Sequence, residues 1–288
     1  MNEKRTGAER DALRRKVFAR IFEQPEGATA KELARGLAEL DYALLPKIHV
    51  LYLKVKGPLL PVEKVRILAD SLRRDIADSI YFIADDNKSV TFLVSANRLV
   101  ASASEARTKW LKSLVQAEEA NGIEACIGVS SEFDDITEAQ TYLRQAQKAC
   151  RTGEIFKNAS PVYLYDDFRI ADVIASVPDK TALNSFRYPP LMRLIEHDSR
   201  KDTRYAFTLY KYLQNPEDPA EVCRQLFIHK NTLYFRLNKA RQIMGCDFKK
   251  GTEILQIQFT FVLLNYEGKL EDKLQPSRTE RPDELEES

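Results

Sequence analysis

Residues Asp218–Gly245 read DPAEVCRQLFIHKNTLYFRLNKARQIMG, and they predict two short helices joined by a tight turn. The first helix has a strong start, because Asp218 can cap it and Pro219 suits the first helical position. Glu221 stands where the acid of a capping box reaches back to the cap. The residues expected to face inward from this helix are Val222, Cys223 and Leu226.

The second helix is predicted to start between His229 and Asn231 and to end at Gly245. The connecting stretch 226–230 is too short for anything but a turn. The helix has an apolar stripe at helical spacing, formed by Leu233, Leu237, Ala240 and Met244. Two short helices around a turn of about three or four residues have the spacing of a helix-turn-helix. Ordinary helical hairpins with a solvated polar face show the same spacing.

The other face of the second helix carries side chains that can contact phosphates and base edges. The residues expected at base edges are Asn231, Tyr234 and Asn238. Those expected near the phosphodiester backbone are Lys230, Thr232 and Arg236, and Arg241 belongs to the same predicted interface. Phe235 also projects toward this face, where it can pack on a thymine methyl group or on a neighbouring helix.

Positive charge is concentrated around this segment. Residues 200–251 contain eleven Lys or Arg against five Asp or Glu, whereas the whole chain has 44 against 43. A local basic excess is typical of a nucleic-acid site, although a solvated basic face gives the same count. The net charge of +1 therefore carries no information about a partner.

Upstream of residue 169 the sequence alternates between strand and helix patterns. Strands are predicted at 48–55, 79–84, 90–94, 125–129 and 162–165, and helices at 62–76, 103–120 and 136–149. Residues 85–88 have turn chemistry and predict a hairpin, and Gly153 is expected to stop the last of these helices. The order of elements predicts a ferredoxin-like α+β domain, a mixed sheet with helices on one face.

The chain is therefore predicted to have four parts. Residues 1–45 form N-terminal helices for dimerisation or as a linker, including a capping box at Thr29–Glu32. Residues 46–168 form the mixed-sheet α+β domain, and residues 169–268 an all-α domain with the helix-turn-helix at 218–244. Residues 269–288 are charged and are expected to be a disordered tail.

The stretch LFIHKNTLYFRL at 226–237 resembles the C-terminal domain of the CdaR/PucR family of bacterial regulators, whose pattern is close to L-x-I/V-H-R-N-T-L-R-Y-R-L. The residues that match are His229, Asn231, Thr232, Leu233, Arg236 and Leu237. Segments 127–130, 139–153 and 162–166 are similar to the degenerate GGDEF-like domain that many members carry. The resemblance covers residues 10–266 and is most specific at 190–265.

This resemblance implies a cytoplasmic, sequence-specific regulator of transcription that activates catabolic genes. It implies double-stranded DNA as a partner, a homodimer or higher homo-oligomer, and a small-molecule effector of unidentified chemistry. Two positions depart from the family, because Lys230 and Tyr234 stand where arginine is usual, and lysine lacks the bidentate fork that reads guanine. Members usually carry a separate sensing domain, whereas about 45 residues precede the first strand here.

Three other interpretations stay open from the residues. A diguanylate cyclase would need metal-binding acids and a glycine-rich turn, and the hairpin offers Asp85 and Asp86 without paired glycines. A sensory or dimerisation module without DNA affinity would bury Asn231, Tyr234 and Asn238 against another helix. Ligand binding in the sheet domain has no supporting constellation of residues.

Cysteine and histidine usage favours neither a metal site nor a cofactor. The four cysteines, Cys126, Cys150, Cys223 and Cys246, form no C-x-x-C pair, and the three histidines are scattered. We expect free thiols packed in apolar surroundings. No apolar run reaches the roughly 20 residues of a membrane span, and the N-terminus lacks a signal-peptide core. We expect no enzymatic activity and no membrane partner.

Overall fold

The computed structural model describes residues 7–23, 27–43, 46–57, 60–75, 79–84, 88–95, 111–113, 115–116, 122–155, 161–179, 181–268 and 270. The chain separates into two compact units, Met1–Arg169 and Ile170–Ser288. None of the helices within these described ranges is long and apolar enough to cross a membrane.

The first unit follows the predicted order of strands and helices. Its helices are α1 (Gly7–Phe18), α2 (Ala30–Ala38), α3 (Val62–Asp75) and α4 (Ala139–Ile155). Its strands are β1 (Ile48–Val55), β2 (Ser79–Ile83), β3 (Ser89–Ser95), β4 (Ala125–Val129) and β5 (Val162–Leu164). Most of the predicted helix at 103–120 and the hairpin turn at 85–87 lie outside the described residues. Helix α5 (Tyr165–Ser176) follows β5, and the division between the units falls inside it.

The five strands form one mixed sheet in the order β2-β3-β1-β4-β5. Strand β1 is antiparallel to both β3 and β4, with Leu51 opposite Phe92 on one side and Val129 on the other. Strand β2 is antiparallel to β3, whereas β5 is parallel to β4. The first four strands thus have the ferredoxin-like order, and the predicted α+β class with a mixed sheet is confirmed.

Helices cover both faces of the sheet, so the prediction of helices on one face is wrong. Because successive strand residues point to opposite faces, Leu51 and Leu53 belong to one layer and Ile48 and Val50 to the other. The first layer packs against α3, Leu111 and Val115. The second layer packs against α1, α2 and α4. Strand β1 is apolar on both sides because both sides are covered.

Two glycines allow α4 to approach the sheet closely. A Cβ atom at Gly128 of β4 would overlap the backbone carbonyl of Ala146 in α4. Gly153 was predicted to stop the helix, and that prediction is wrong: α4 runs on to Ile155. A Cβ atom at Gly153 would overlap the ring of Tyr163 in β5. This glycine therefore serves packing between helix and sheet.

Polar side chains of the first unit bind one another. The Nζ atom of Lys54 lies 2.8 Å from Oε2 of Glu154, and this hydrogen bond raises the pKa of Lys54. The hydroxyl of Ser131 donates to Oδ1 of Asp166 at 2.6 Å, and Arg169 donates to both residues. The predicted capping box is confirmed at the start of α2, where Thr29 and Glu32 bind each other's backbone N–H groups.

The four cysteines are free thiols, as predicted. Cys126 of β4 and Cys150 of α4 are both buried, and their Sγ atoms lie 3.1 Å apart. The hydrogen bond with Cys150 lowers the pKa of Cys126. Cys223 and Cys246 of the second unit are half-buried.

The second unit is helical. Its helices are the later part of α5, α6 (Pro189–Lys201), α7 (Tyr205–Gln214), α8 (Pro219–Leu226), α9 (Lys230–Met244) and α10 (Gly251–Tyr266). Side chains of α6 to α10 share one core, which includes Leu191, Leu209, Val222, Leu237 and Phe261. The buried carboxylate of Asp198 joins α6 to α7, because it accepts from the Thr203 hydroxyl at 2.6 Å and from the Ala206 N–H at 2.7 Å.

Candidate nucleic-acid interface

Helices α8 and α9 have the bounds that the sequence predicted. The Asp218 carboxylate accepts from the N–H of Glu221 and caps α8, which begins at Pro219. Helix α9 begins at Lys230, and Gly245 ends it with a left-handed φ of 71°. Between the helices Phe227 also has a left-handed backbone, with φ 52°.

The apolar stripe of α9 anchors the helix in the unit. All four predicted residues are buried, namely Leu233, Leu237, Ala240 and Met244. They pack in the core that α6, α7 and α8 share. The guanidinium of Arg193 in α6 donates to the carbonyl of Met244 at 2.9 Å, which satisfies a carbonyl of the last helical turn. The opposite face of α9 is held outward as a result.

Asn231, Tyr234, Phe235 and Asn238 lie exposed on α9. Tyr234 keeps 39% and Phe235 keeps 55% of its surface accessible. Packing of Asn231, Tyr234 and Asn238 against another helix was the arrangement expected of a module without DNA affinity. Within the described part of the chain that arrangement does not occur.

Helix α9 carries four cations and no acid. The cations are Lys230, Arg236, Lys239 and Arg241. The structure records no ion pair between any of them and a described residue. The first N–H groups of a helix lack intrahelical acceptors and favour a phosphate, so the N-terminal end of α9 adds to the positive potential. The arrangement can bind an extended anion along an exposed polar face.

Residues 205–263 match the profile of the PucR C-terminal helix-turn-helix domain. The chain carries a PucR-type helix-turn-helix domain. The match begins at the start of α7 and ends within α10, so α8 and α9 lie inside it. The resemblance seen in the sequence is confirmed for this domain, whereas the GGDEF-like assignment of residues 46–168 stays a prediction.

Two curated proteins of Bacillus subtilis (strain 168) are similar to the chain. The proline-responsive transcriptional activator PutR is 21% identical over 267 residues, which are 91% of this chain and 63% of PutR. The purine catabolism regulatory protein is 22% identical over 131 residues, 46% of this chain and 24% of that protein. The chain thus spans less than two thirds of the length of each relative.

One solved structure is similar over most of its length. It is the crystal structure of the regulator of polyketide synthase expression from Bifidobacterium adolescentis. The TM-score is 0.41 at 12% sequence identity, and the comparison covers 94% of this chain and 96% of the other.

Side chains within and beside the PucR-type domain restrain part of the predicted interface. Arg241 donates to Oδ1 of Asn238 at 2.6 Å and to the Asp247 carbonyl at 3.3 Å, and it lies over the Phe248 ring. Its guanidinium is therefore held beside the last turns of α9. No hydrogen bond to a described residue is recorded for the side chains of Lys230, Asn231, Thr232, Tyr234 and Arg236.

Neighbouring charges of the PucR-type domain are mostly neutralised locally. Arg224 of α8 donates from Nε to Oε2 of Glu221 at 3.0 Å. Hydrogen bonds from Gln225 and Arg224 lower the pKa of Glu221, so this acid stays charged beside the turn. Lys249 pairs with Asp247 and Lys250 with Glu253. Among the described residues of this domain, the cations without an acidic partner are the four of α9 and Lys211 of α7.

Sequence reasoning missed two residues of this surface. Gln242 is exposed one turn beyond Asn238, where it extends the row of Asn231, Phe235 and Asn238. Its position four residues after Asn238 was a signal that could have identified it. Phe227 was treated only as part of the turn, and its exposure depends on a backbone conformation that the sequence does not show.

Proposed function

We propose that the protein is a sequence-specific DNA-binding transcription regulator. The observation that carries this proposal is an exposed, acid-free helix α9 inside a PucR-type helix-turn-helix domain. A helix with cations and no acids attracts phosphates, and exposed Asn side chains can pair with base edges. The names of both curated relatives describe regulators, in agreement with this function.

In the proposed complex α9 enters a major groove. Asn231, Tyr234 and Asn238 lie at base edges, where an asparagine can bind adenine through two hydrogen bonds. Lys230, Thr232 and Arg236 contact the phosphodiester backbone, and Arg241 adds a cation at the far end of the helix. The N–H groups at the start of α9 receive a phosphate. We propose no catalytic step.

We further propose that two chains bind together. Residues 1–45 and the domain at 46–168, interpreted as a degenerate GGDEF-like domain, would pair two copies. The DNA would then carry half-sites about one helical turn, or a multiple of it, apart. A monomer in light scattering at micromolar concentration, with and without DNA, would contradict this pairing.

The regulator is proposed to act in the bacterial cytoplasm, where the chromosome is, and to activate catabolic genes under control of a small-molecule effector. The printed names of the relatives connect one with proline response and the other with purine catabolism. These names motivate screening small metabolites for a change in DNA affinity. They assign no effector to this chain.

Selection from a randomised duplex pool tests the function without a guess about the operator. The full chain is incubated with the pool at several salt concentrations, and bound duplexes are sequenced over successive rounds. We expect one motif to be enriched, with binding that weakens steeply as salt rises. Enrichment of no motif, with equally weak binding to all duplexes, would contradict the proposal.

Lys230→Ala tests the phosphate contact at the start of α9. We expect weaker binding to every duplex and a salt slope reduced by about one, because one phosphate contact is lost. Lys64→Ala is the matched control, since Lys64 is an exposed lysine of α3 in the first unit. The measurement is affinity against salt concentration for all three proteins. An unchanged slope in Lys230→Ala would remove Lys230 from the interface.

A further inference from the structure

The aromatic ring of Phe227 lies in the turn between α8 and α9 and is 95% exposed. No other large apolar side chain among the described residues is as exposed. Exposed apolar residues are common singly, so exposure alone means little. Phe227 is unusual because its backbone is also left-handed, with φ 52°.

A left-handed backbone favours glycine, because a Cβ atom crowds the backbone there. Phe248 has a similar φ of 58°, but only 8% of it is exposed, so its packing in the core of the second unit offsets the strain. Phe227 has the same strain without the packing. Residues with a strained backbone that core packing does not offset occur preferentially at functional sites.

The fold needs the conformation at residue 227 but not the ring. Helix α8 ends because the N–H of Phe227 donates to the Arg224 carbonyl at 3.3 Å and the N–H of Ile228 donates to the Cys223 carbonyl at 3.1 Å. Glycine or asparagine would make the same backbone bonds. The side chain of Ile228, and not that of Phe227, packs against the core.

The ring stands next to the surface proposed to meet DNA. Phe227 precedes Lys230, the first residue of α9, by three positions, and Phe235 and Tyr234 are the next exposed aromatic rings. Lys230, the cation of α9 nearest to this ring along the chain, has no acidic partner among the described residues. A duplex bound at the N-terminal end of α9 would therefore lie close to the turn that carries Phe227.

We propose that Phe227 packs its ring against a thymine C5-methyl group in the major groove. This inference rests on the proposed function and adds an apolar contact to it. Phenylalanine is one of the side chains that reads thymine through its methyl group. The strained turn presents the ring to solvent before DNA arrives, so no packing within the protein has to be broken on binding.

The test is Phe227→Gly in the full chain, with Phe227→Asn as a second variant that tolerates the left-handed backbone. We expect the thermal midpoint to stay the same or rise, because the strain is relieved. We expect affinity for the duplex selected by the wild-type chain to fall about tenfold or more, as expected for loss of a buried aromatic contact. Phe186→Ala, which removes a 60% exposed ring outside residues 205–263, should bind as wild type does.

Uracil in place of each thymine of the selected duplex identifies the contact. At one position we expect uracil to weaken binding by the wild-type chain. At that same position uracil should cause no further loss of affinity in Phe227→Gly, which already lacks the ring. Binding by Phe227→Gly within about twofold of wild type would overturn the inference while the proposed function stands. Wild-type binding that is insensitive to every uracil substitution would also overturn the inference. A smaller sedimentation coefficient for Phe227→Gly would overturn it too, because that result would place the ring between two copies of the chain. A wild-type chain that selects no duplex would remove both proposals.

Discussion

In the first unit polar side chains bind one another, whereas several polar side chains of α9 have no partner among the described residues. Lys54 pairs with Glu154, and Thr29 exchanges hydrogen bonds with Glu32. Lys230, Asn231 and Arg236 show no such bond to a described residue. Groups that bind each other stabilise the fold, and groups left exposed are available to a partner.

This difference separates stability from binding. Substitutions at the packed contacts of the first unit should lower the free energy of unfolding, because its helices and sheet are in close contact there. Substitutions on the exposed face of α9 should lower affinity for DNA and leave the fold unchanged. Phe227 belongs with the exposed residues of α9, since it contributes a strained backbone conformation and no packing.

The largest effect is expected from Gly128→Ala. Its Cβ atom would overlap the Ala146 carbonyl, so α4 must move away from β4, at a cost of about 3 kcal/mol in unfolding free energy. Gly36→Ala is the control, because a Cβ atom there meets Val17 Cγ2 at an ordinary 3.5 Å and alanine favours the helix. Urea denaturation measures both. Equal stability of the two variants would refute the close helix–sheet contact.

An intermediate effect is expected from Asn231→Ala, in binding alone. Loss of a base contact should weaken binding to the selected duplex by about 1–3 kcal/mol, with little loss on a scrambled duplex of equal length. The thermal midpoint should stay the same, because Asn231 is exposed. Titration of both duplexes gives the two affinities. Equal losses on both duplexes would exclude a base-reading role.

The smallest effect is expected from Thr29→Ala, in stability alone. Loss of the cap should lower the unfolding free energy by about 1 kcal/mol, and DNA affinity should not change. Hydrogen bonds from the Thr29 backbone and side chain lower the pKa of Glu32. The stability that ionised Glu32 contributes is therefore complete above the pKa of a glutamate in the unfolded chain. It is lost as the pH falls through the lower pKa that Glu32 has in the folded chain. The backbone N–H of residue 29 still binds Glu32 in the variant, so only the part that comes from the Thr29 hydroxyl differs between the two proteins. The stability gap between the wild type and the variant should therefore narrow in acid without closing, as denaturation across pH can show.

Local patterns predicted the elements well where a single period dominates. The β-branched and aliphatic run Ile48–Val55 identified a strand, and the stripe of Leu233, Leu237, Ala240 and Met244 identified a helix and its buried side. The cap at Asp218 and the stop at Gly245 identified the helix ends because their chemistry acts over a few residues.

Long-range packing accounts for the errors. Gly153 has the sequence signature of a helix stop, yet the ring that requires a glycine there belongs to Tyr163, on another element. Strand Ile48–Val55 has apolar residues on both sides, which already indicated that both faces of the sheet are covered. This signal outweighs the expectation of helices on one face only. Exposure of Phe227 could not be predicted, because it follows from the left-handed turn.

The absence of acids from α9 has a kinetic consequence. Attraction between its four cations and phosphates does not depend on sequence, so the bound chain can slide and hop along a duplex before it meets its site. Association with a long DNA fragment should then be faster than with a short duplex that carries the same site. The surface proposed to hold the operator would thus also shorten the search for it.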